Sequence, residues 1–166
     1  TPAKQIDSIL IISTMNKYFT PWKDIRMYDI ENSIGFLLAK AHQRGWALFS
    51  AEISKFDLTP PQFSVLAFLW QQDRLTQTEL SEKTQIDRTT LGGLIDRLEK
   101  LGMLQRTTHP QDRRAHLICL TDKARSQAQE LTRLAQKVLQ QFTAGLTEHD
   151  KHELRRMLDV LRQERI

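Results

Sequence analysis

The chain has 166 residues, 40% apolar and 27% charged, with a formal net charge of +4 at pH 7. It is long enough to bury a core without disulfides or metals, and its single cysteine, Cys119, excludes an intrachain disulfide and a multi-cysteine zinc site. Residues 1–85 carry nine Lys/Arg and nine Asp/Glu, so the positive excess falls in residues 86–116 (six against four) and 117–166 (nine against seven); this permits a polyanionic partner without demonstrating one.

Within residues 1–27, Thr1-Pro2 can open a helix, with Ile6, Ile9, Leu10 and Met15 on one face. The run Ile9–Ile12 is too short for a signal-peptide core, and nothing approaches the roughly 18 apolar residues of a membrane span. A cytoplasmic protein with no membrane partner is therefore expected. Thr20-Pro21 ends this segment, while Tyr18, Phe19 and Trp22 are too apolar for a free tail.

Residues 29–54 read as a long helix, with Ile34, Leu37, Leu38, Ala41, Gly45, Leu48, Phe49 and Ile53 at three- and four-residue steps. Asp57–Pro61 breaks it. Thr59 as N-cap and Pro60 at the first helical position then open a helix over 60–71, with Phe63, Leu66, Ala67 and Trp70 on one face. Thr76 and Glu79 stand at capping-box spacing and start a short helix over 77–84. After a tight turn, Asp87 caps a helix over 88–102 with an apolar stripe of Leu91, Leu94, Ile95, Leu98 and Leu101, stopped by Gly102. Two short helices joined this way make a helix-turn-helix.

The period then changes from 3.6 to 2. Met103–Thr108 and Ala115–Leu120 read as strands joined by the polar turn His109–Arg114, a hairpin wing. Thr121-Asp122 opens a helix over 122–145, lined by Leu131, Leu134, Val138 and Phe142. Thr147, with Glu148 and Asp150, starts a last one over 147–164, lined by Leu154, Leu158 and Leu161. The expected fold is mainly α with a small β-hairpin wing: a winged helix-turn-helix lobe at 58–121 between dimerisation regions at 1–57 and 122–166.

A recognition helix presents short polar and cationic groups at its N-terminus to the major groove, and Arg88, Thr89 and Thr90 are such groups. Thr76, Gln77 and Arg97 join them as candidate DNA contacts, with Gln111, Asp112, Arg113 and Arg114 on the wing. Taken alone, Asp112 and Arg114 are a solvated ion pair worth under about 1 kcal/mol. Gly92 and Gly93 are unusual, because each glycine inside a helix costs about 1 kcal/mol relative to Ala. Either the backbone approaches DNA closely there, or readout falls on Arg88, Thr89 and Thr90, or the glycines are neutral on an exposed face.

The ordered set Leu58–Phe63, Leu75–Leu80, Asp87–Leu91, Leu94–Glu99, Gly102–Arg106, Asp112–Arg114 and Leu120-Thr121 resembles the MarR family of bacterial regulators over about residues 30–164. The resemblance implies a homodimer built from both termini on a pseudo-palindromic operator in double-stranded DNA, most often as a repressor. It implies that Arg114 enters the minor groove while Asp112 holds its guanidinium. It departs from the family at the second glycine, where many members carry a larger residue. It also implies a small aromatic effector in a cleft between lobes. The candidates here are His42, Arg44, Trp46, Phe49, Phe63, Leu66 and Trp70, set against the plainer reading that aromatics at helical spacing are core.

Cys119, beside Ile118 in a strand, reads as a buried and inert thiol rather than a redox sensor. His109 and His116 lack acidic or cysteine partners at ligand spacing, so no metal or cofactor is expected. No phosphate loop, nucleophile elbow or paired carboxylates support an enzyme. The rival to a ligand-responsive repressor is a ligand-independent architectural or activating DNA-binding protein.

Overall fold

The computed structural model describes residues 28–112 and 115–163. The expected packing of segment 1–27 and the wing residues Arg113 and Arg114 lie outside the described residues. The chain divides after Lys40 into two compact units, residues 1–40 and 41–166.

In the first unit, Asp29 Oδ2 accepts from the Asn32 side-chain amide at 2.7 Å, and the Ser33 amide donates to the Ile30 carbonyl at 3.1 Å. Ser33 Oγ accepts the Phe36 amide. This turn starts the first helix among the described residues, α1 (Ile34–Ile53), five residues later than the periodicity suggests. The helix enters the second unit and ends in a 3-10 turn, Ser54–Phe56, closed by Asp57 with a φ of 58°. Of its expected apolar stripe, Ile53 is buried, whereas Ile34, Leu37 and Leu38 are exposed.

In the second unit, α2 (Pro60–Gln71) starts at Thr59 as expected. The Gln62 side-chain oxygen accepts the Thr59 amide at 2.8 Å, which accounts for a buried glutamine. The buried face is Gln62, Val65, Leu66 and Leu69. Of the expected stripe of Phe63, Leu66, Ala67 and Trp70, only Leu66 belongs to it, while Phe63 and Trp70 flank the core half-buried. Next come β1 (Leu75–Thr76), α3 (Gln77–Thr84) and α4 (Arg88–Lys100). Leu91, Leu94, Ile95 and Leu98 bury the inner face of α4. Gly102, at φ +68°, ends it: its amide donates to Glu99 O and the Met103 amide to Leu98 O, the paired closure of a Schellman stop.

The hairpin is β2 (Leu104–Thr108) with β3 (His116–Leu120), antiparallel, Arg106 opposite Ile118. The sheet has a third strand that periodicity did not reveal: β1 pairs with the other edge of β3, Leu75 opposite Ile118. As the middle strand, β3 buries four consecutive residues, Leu117–Leu120, so Cys119 is buried, with Thr107 Oγ1 3.3 Å from its sulfur. The last helices are α5 (Asp122–Phe142), capped by Thr121, and α6 (Glu148–Arg162), capped by Thr147. Leu131 and Val138 bury one face of α5; α6 buries no residue.

Asp73 ties α2, the sheet and α5 together. Its carboxylate accepts the Leu120 amide at 2.9 Å and the Arg125 guanidinium at 2.6 Å. Burial works against its ionisation, but these donors outweigh it and hold the carboxyl below its usual value. The Trp70 indole N–H donates to Ala124 O at 3.1 Å, a second tie between α2 and α5.

Candidate nucleic-acid interface

The reading head is assembled from two caps and a turn. The Glu79 amide donates to Thr76 Oγ1 at 3.2 Å, while Glu79 Oε2 accepts the Thr76 amide at 2.7 Å. The box fixes the start of α3, and the hydrogen bonds from Thr76 hold the Glu79 carboxyl below its usual 4.5. The turn after α3 passes through Gln85 at φ 56°. Ser81 Oγ donates to Ile86 O across it at 2.6 Å. Asp87 Oδ1 then accepts the Thr90 amide at 2.9 Å and caps α4, and that bond holds its carboxyl below its usual 3.8.

These caps leave Arg88, Thr89 and Thr90 exposed on the first turn of α4, with Arg97 exposed two and a half turns on. The structure thus brings the three expected reading residues together at one helix end. Gln77 is half-buried, and its Nε2 donates to the Arg88 carbonyl at 2.9 Å. Gly92 lies beneath that amide, while Gly93 is exposed with open space where a side chain would stand.

The wing is anchored to α4 by Arg106. Its guanidinium pairs with Asp96 at 2.7 Å and with Glu99. Sequence reasoning missed this brace; acidic residues three apart on the exposed side of α4, followed by a strand arginine, are the signal that could have found it. At the wing tip the His109 amide donates to Ala115 O and the Ala115 amide to Asp112 O, at 3.0 and 3.1 Å. Gln111 and Asp112 are exposed there.

A second feature lies between α1, α2 and α5 of the second unit. Gly45, Phe49, Phe63, Ser64, Ala135, Val138, Leu139 and Phe142 line a cleft of about 290 Å³. Phe49 meets Phe63 edge-on at 5.0 Å, and Phe63 meets Trp70 at 5.9 Å. Of the expected ligand residues, Phe49 and Phe63 line this cleft. The Arg44 guanidinium, not part of the lining, stands 6.0 Å from the ring centre of Phe142, which is. Leu66 is fully buried in the core and Trp70 braces Phe63 from behind. His42 and Trp46 are exposed, pack on each other at 5.7 Å, and are not among the lining residues. The contributions of α5 went unseen in the sequence because they lie some seventy residues or more beyond Phe63.

Residues 58–116 match the model of the MarR family. A solved structure of BpsR from Bordetella bronchiseptica, described as regulated in its DNA binding by 6-hydroxynicotinic acid, is 30% identical. It superposes with a TM-score of 0.77, covering 81% of this chain and 96% of that one. The chain belongs to the MarR family. A second solved structure that matches is the transcriptional repressor CouR bound to a 23-mer DNA duplex. It is 30% identical with a TM-score of 0.77, over 84% of this chain and 99% of CouR. The repressor NicR of Pseudomonas putida is 29% identical over 152 residues, 87% of this chain and 96% of NicR. The winged helix fold and the role of DNA-binding transcriptional regulator follow from this membership. No helix among the described residues is long and apolar enough to cross a membrane.

Proposed function

We propose that this MarR-family regulator is a homodimeric repressor that holds a pseudo-palindromic operator with two reading heads and releases it when a small aromatic acid occupies the cleft. The observation that carries the reading is the exposed Arg88-Thr89-Thr90 turn, set by the Asp87 cap next to a wing braced by Arg106. Arginine pairs bidentately with guanine, and threonine touches thymine methyls or phosphates. Thr76, Arg97, Gln111 and the wing arginines 113 and 114 would add backbone and minor-groove contacts.

Two-fold pairing is supported by apolar surface left uncovered in one chain: Tyr28, Ile30, Ile34 and Leu37 near the start, and Leu154, Met157, Leu158 and Leu161 on α6. Pairing through residues 1–57 and 122–166 would set two recognition helices about one DNA turn apart, roughly 34–36 Å. The cleft supports the effector class. Its volume is near the lower end for ligand sites, about 300 Å³, and suits one substituted ring. Its walls are aromatic and aliphatic, and Arg44, over the ring of the lining residue Phe142, would supply a cation for a carboxylate. The relative BpsR, regulated by an aromatic acid, supports the same class.

The test begins with an operator selected by the protein from a random duplex library. Arg88→Ala should weaken binding to it by about 1–3 kcal/mol, and aromatic acids, 6-hydroxynicotinic acid among them, should release the wild type. Unchanged affinity in the variant would remove the assigned reading head. Binding indifferent to every acid tested would favour a ligand-independent architectural or activating protein.

A further inference from the structure

The two glycines of α4 have different surroundings. A β-carbon at Gly93 would meet nothing within 4 Å, whereas one at Gly92 would lie 3.2 Å from Gln77 Nε2. That contact is tighter than ordinary packing, so the amide would have to move. The same nitrogen donates to the carbonyl oxygen of Arg88 at 2.9 Å. By helical geometry this carbonyl also accepts the amide of residue 92, one turn on. Gln77, the first residue of α3, therefore reaches the first residue of α4, and its amide fills the space above Gly92.

We infer that Gln77 is a positioning residue: it holds the Arg88 end of the recognition helix against α3, and position 92 is glycine because the Gln77 amide needs that space. The inference rests on the DNA-binding reading of α4. It is an alternative to two readings of the sequence, that Gln77 touches DNA and that the helix backbone at Gly92 approaches DNA closely. One of the two donor hydrogens of the Gln77 amide is committed inside the protein, to the residue whose side chain is set to read bases. A group that orients Arg88 affects base readout, which demands fixed geometry. It leaves phosphate attraction, which depends on charge, untouched.

That difference defines the experiment. Wild type, Q77A, G92A and Q77A/G92A are compared for affinity to the selected operator and to a scrambled duplex, over a salt series, with thermal melts alongside. Alanine favours helix over glycine, so G92A should melt no lower than wild type. It should nonetheless lose about fivefold in preference for the operator, the value of one hydrogen bond. Q77A should lose a similar factor with an unchanged salt slope. In the Q77A background, G92A should cost nothing more. Equal losses from G92A in both backgrounds, or none in either, would overturn the inference, as would a shallower salt slope in Q77A, the mark of a lost phosphate contact.

A readout free of DNA keeps this separate from the function itself. In the unbound protein the Gln77 side-chain amide proton should exchange slowly by NMR, and G92A should speed its exchange. Fast exchange in the wild type would sink the inference. If the wild type selects no sequence at all, the DNA reading fails while the exchange measurement still decides the Gln77–Arg88 bond.

Discussion

Three carboxylates at helix starts, Glu79, Asp87 and Asp150, accept amide or hydroxyl hydrogens from the turns they open, and each is held below its ordinary ionisation range. Asp73 shifts the same way despite partial burial. A carboxyl whose folded value is depressed contributes stability that is present above its unfolded value and lost as pH falls through the folded one. Stability should therefore drop in acid, starting below the ordinary values of 4.5 for Glu79 and 3.8 for the aspartates. The triple variant Glu79→Gln, Asp87→Asn, Asp150→Asn keeps side-chain oxygens that can cap but removes the titrating groups. In urea titrations across acid pH its stability should fall less steeply than that of wild type, and parallel curves would refute the assignment. At neutral pH, Thr76→Ala should cost about 1 kcal/mol through the lost cap. The caps were legible in the sequence because a cap is local: donor and acceptor lie three positions apart, and no tertiary contact is needed to recognise them; Asp73, whose partners Leu120 and Arg125 are distant in the chain, was not.

Elements that depend on a distant partner were less legible. The helices of the reading head and the hairpin were placed within a residue or two, each bounded by a cap, a glycine or a change of period. β1 was missed because two residues carry no alternation, and it becomes a strand by pairing with β3. The inner face of α2 was misjudged because the helix is apolar on several sides, so the pattern does not point one way. The Arg106 brace joins residues seven and ten positions apart on two different elements and was equally hidden. It invites a direct test. The Arg106 side chain is 29% exposed and Asp96 is 58% exposed, so solvent screens part of the attraction. Arg106→Gln should cost about 1 kcal/mol of stability yet weaken operator binding disproportionately, because the hairpin loses its tie to α4. Fluorescence anisotropy on the operator, compared with urea melts, separates the two effects; losses of equal size would show that Arg106 serves the fold alone.

At the scale of the molecule, the sequence carried a surplus of apolar residues on its first and last helices, and the structure shows where the surplus lies. Leu154, Met157, Leu158 and Leu161 recur at three- and four-residue steps on α6 and stay exposed, Leu161 by 63%. A helix with no buried residue, in an otherwise well-packed unit, contributes little to folding of its own chain. Its amphipathic pattern makes physical sense when a second copy covers it. Pairing also matters for the DNA, since joining two reading heads turns the second contact into an intramolecular event, and affinity rises by far more than a factor of two. Leu158→Glu with Leu161→Glu would bury two charges in such an interface while leaving the core untouched. This variant should keep its helical circular dichroism, run as a monomer by light scattering at micromolar concentration, and lose about a hundredfold or more in affinity for the full operator. Its affinity for a single half-site should stay close to that of wild type, because Arg88, Thr89 and Thr90 are far along the chain from the altered positions. A wild-type protein that is itself monomeric at that concentration, or a variant that remains dimeric, would show that the exposed face of α6 has some other use.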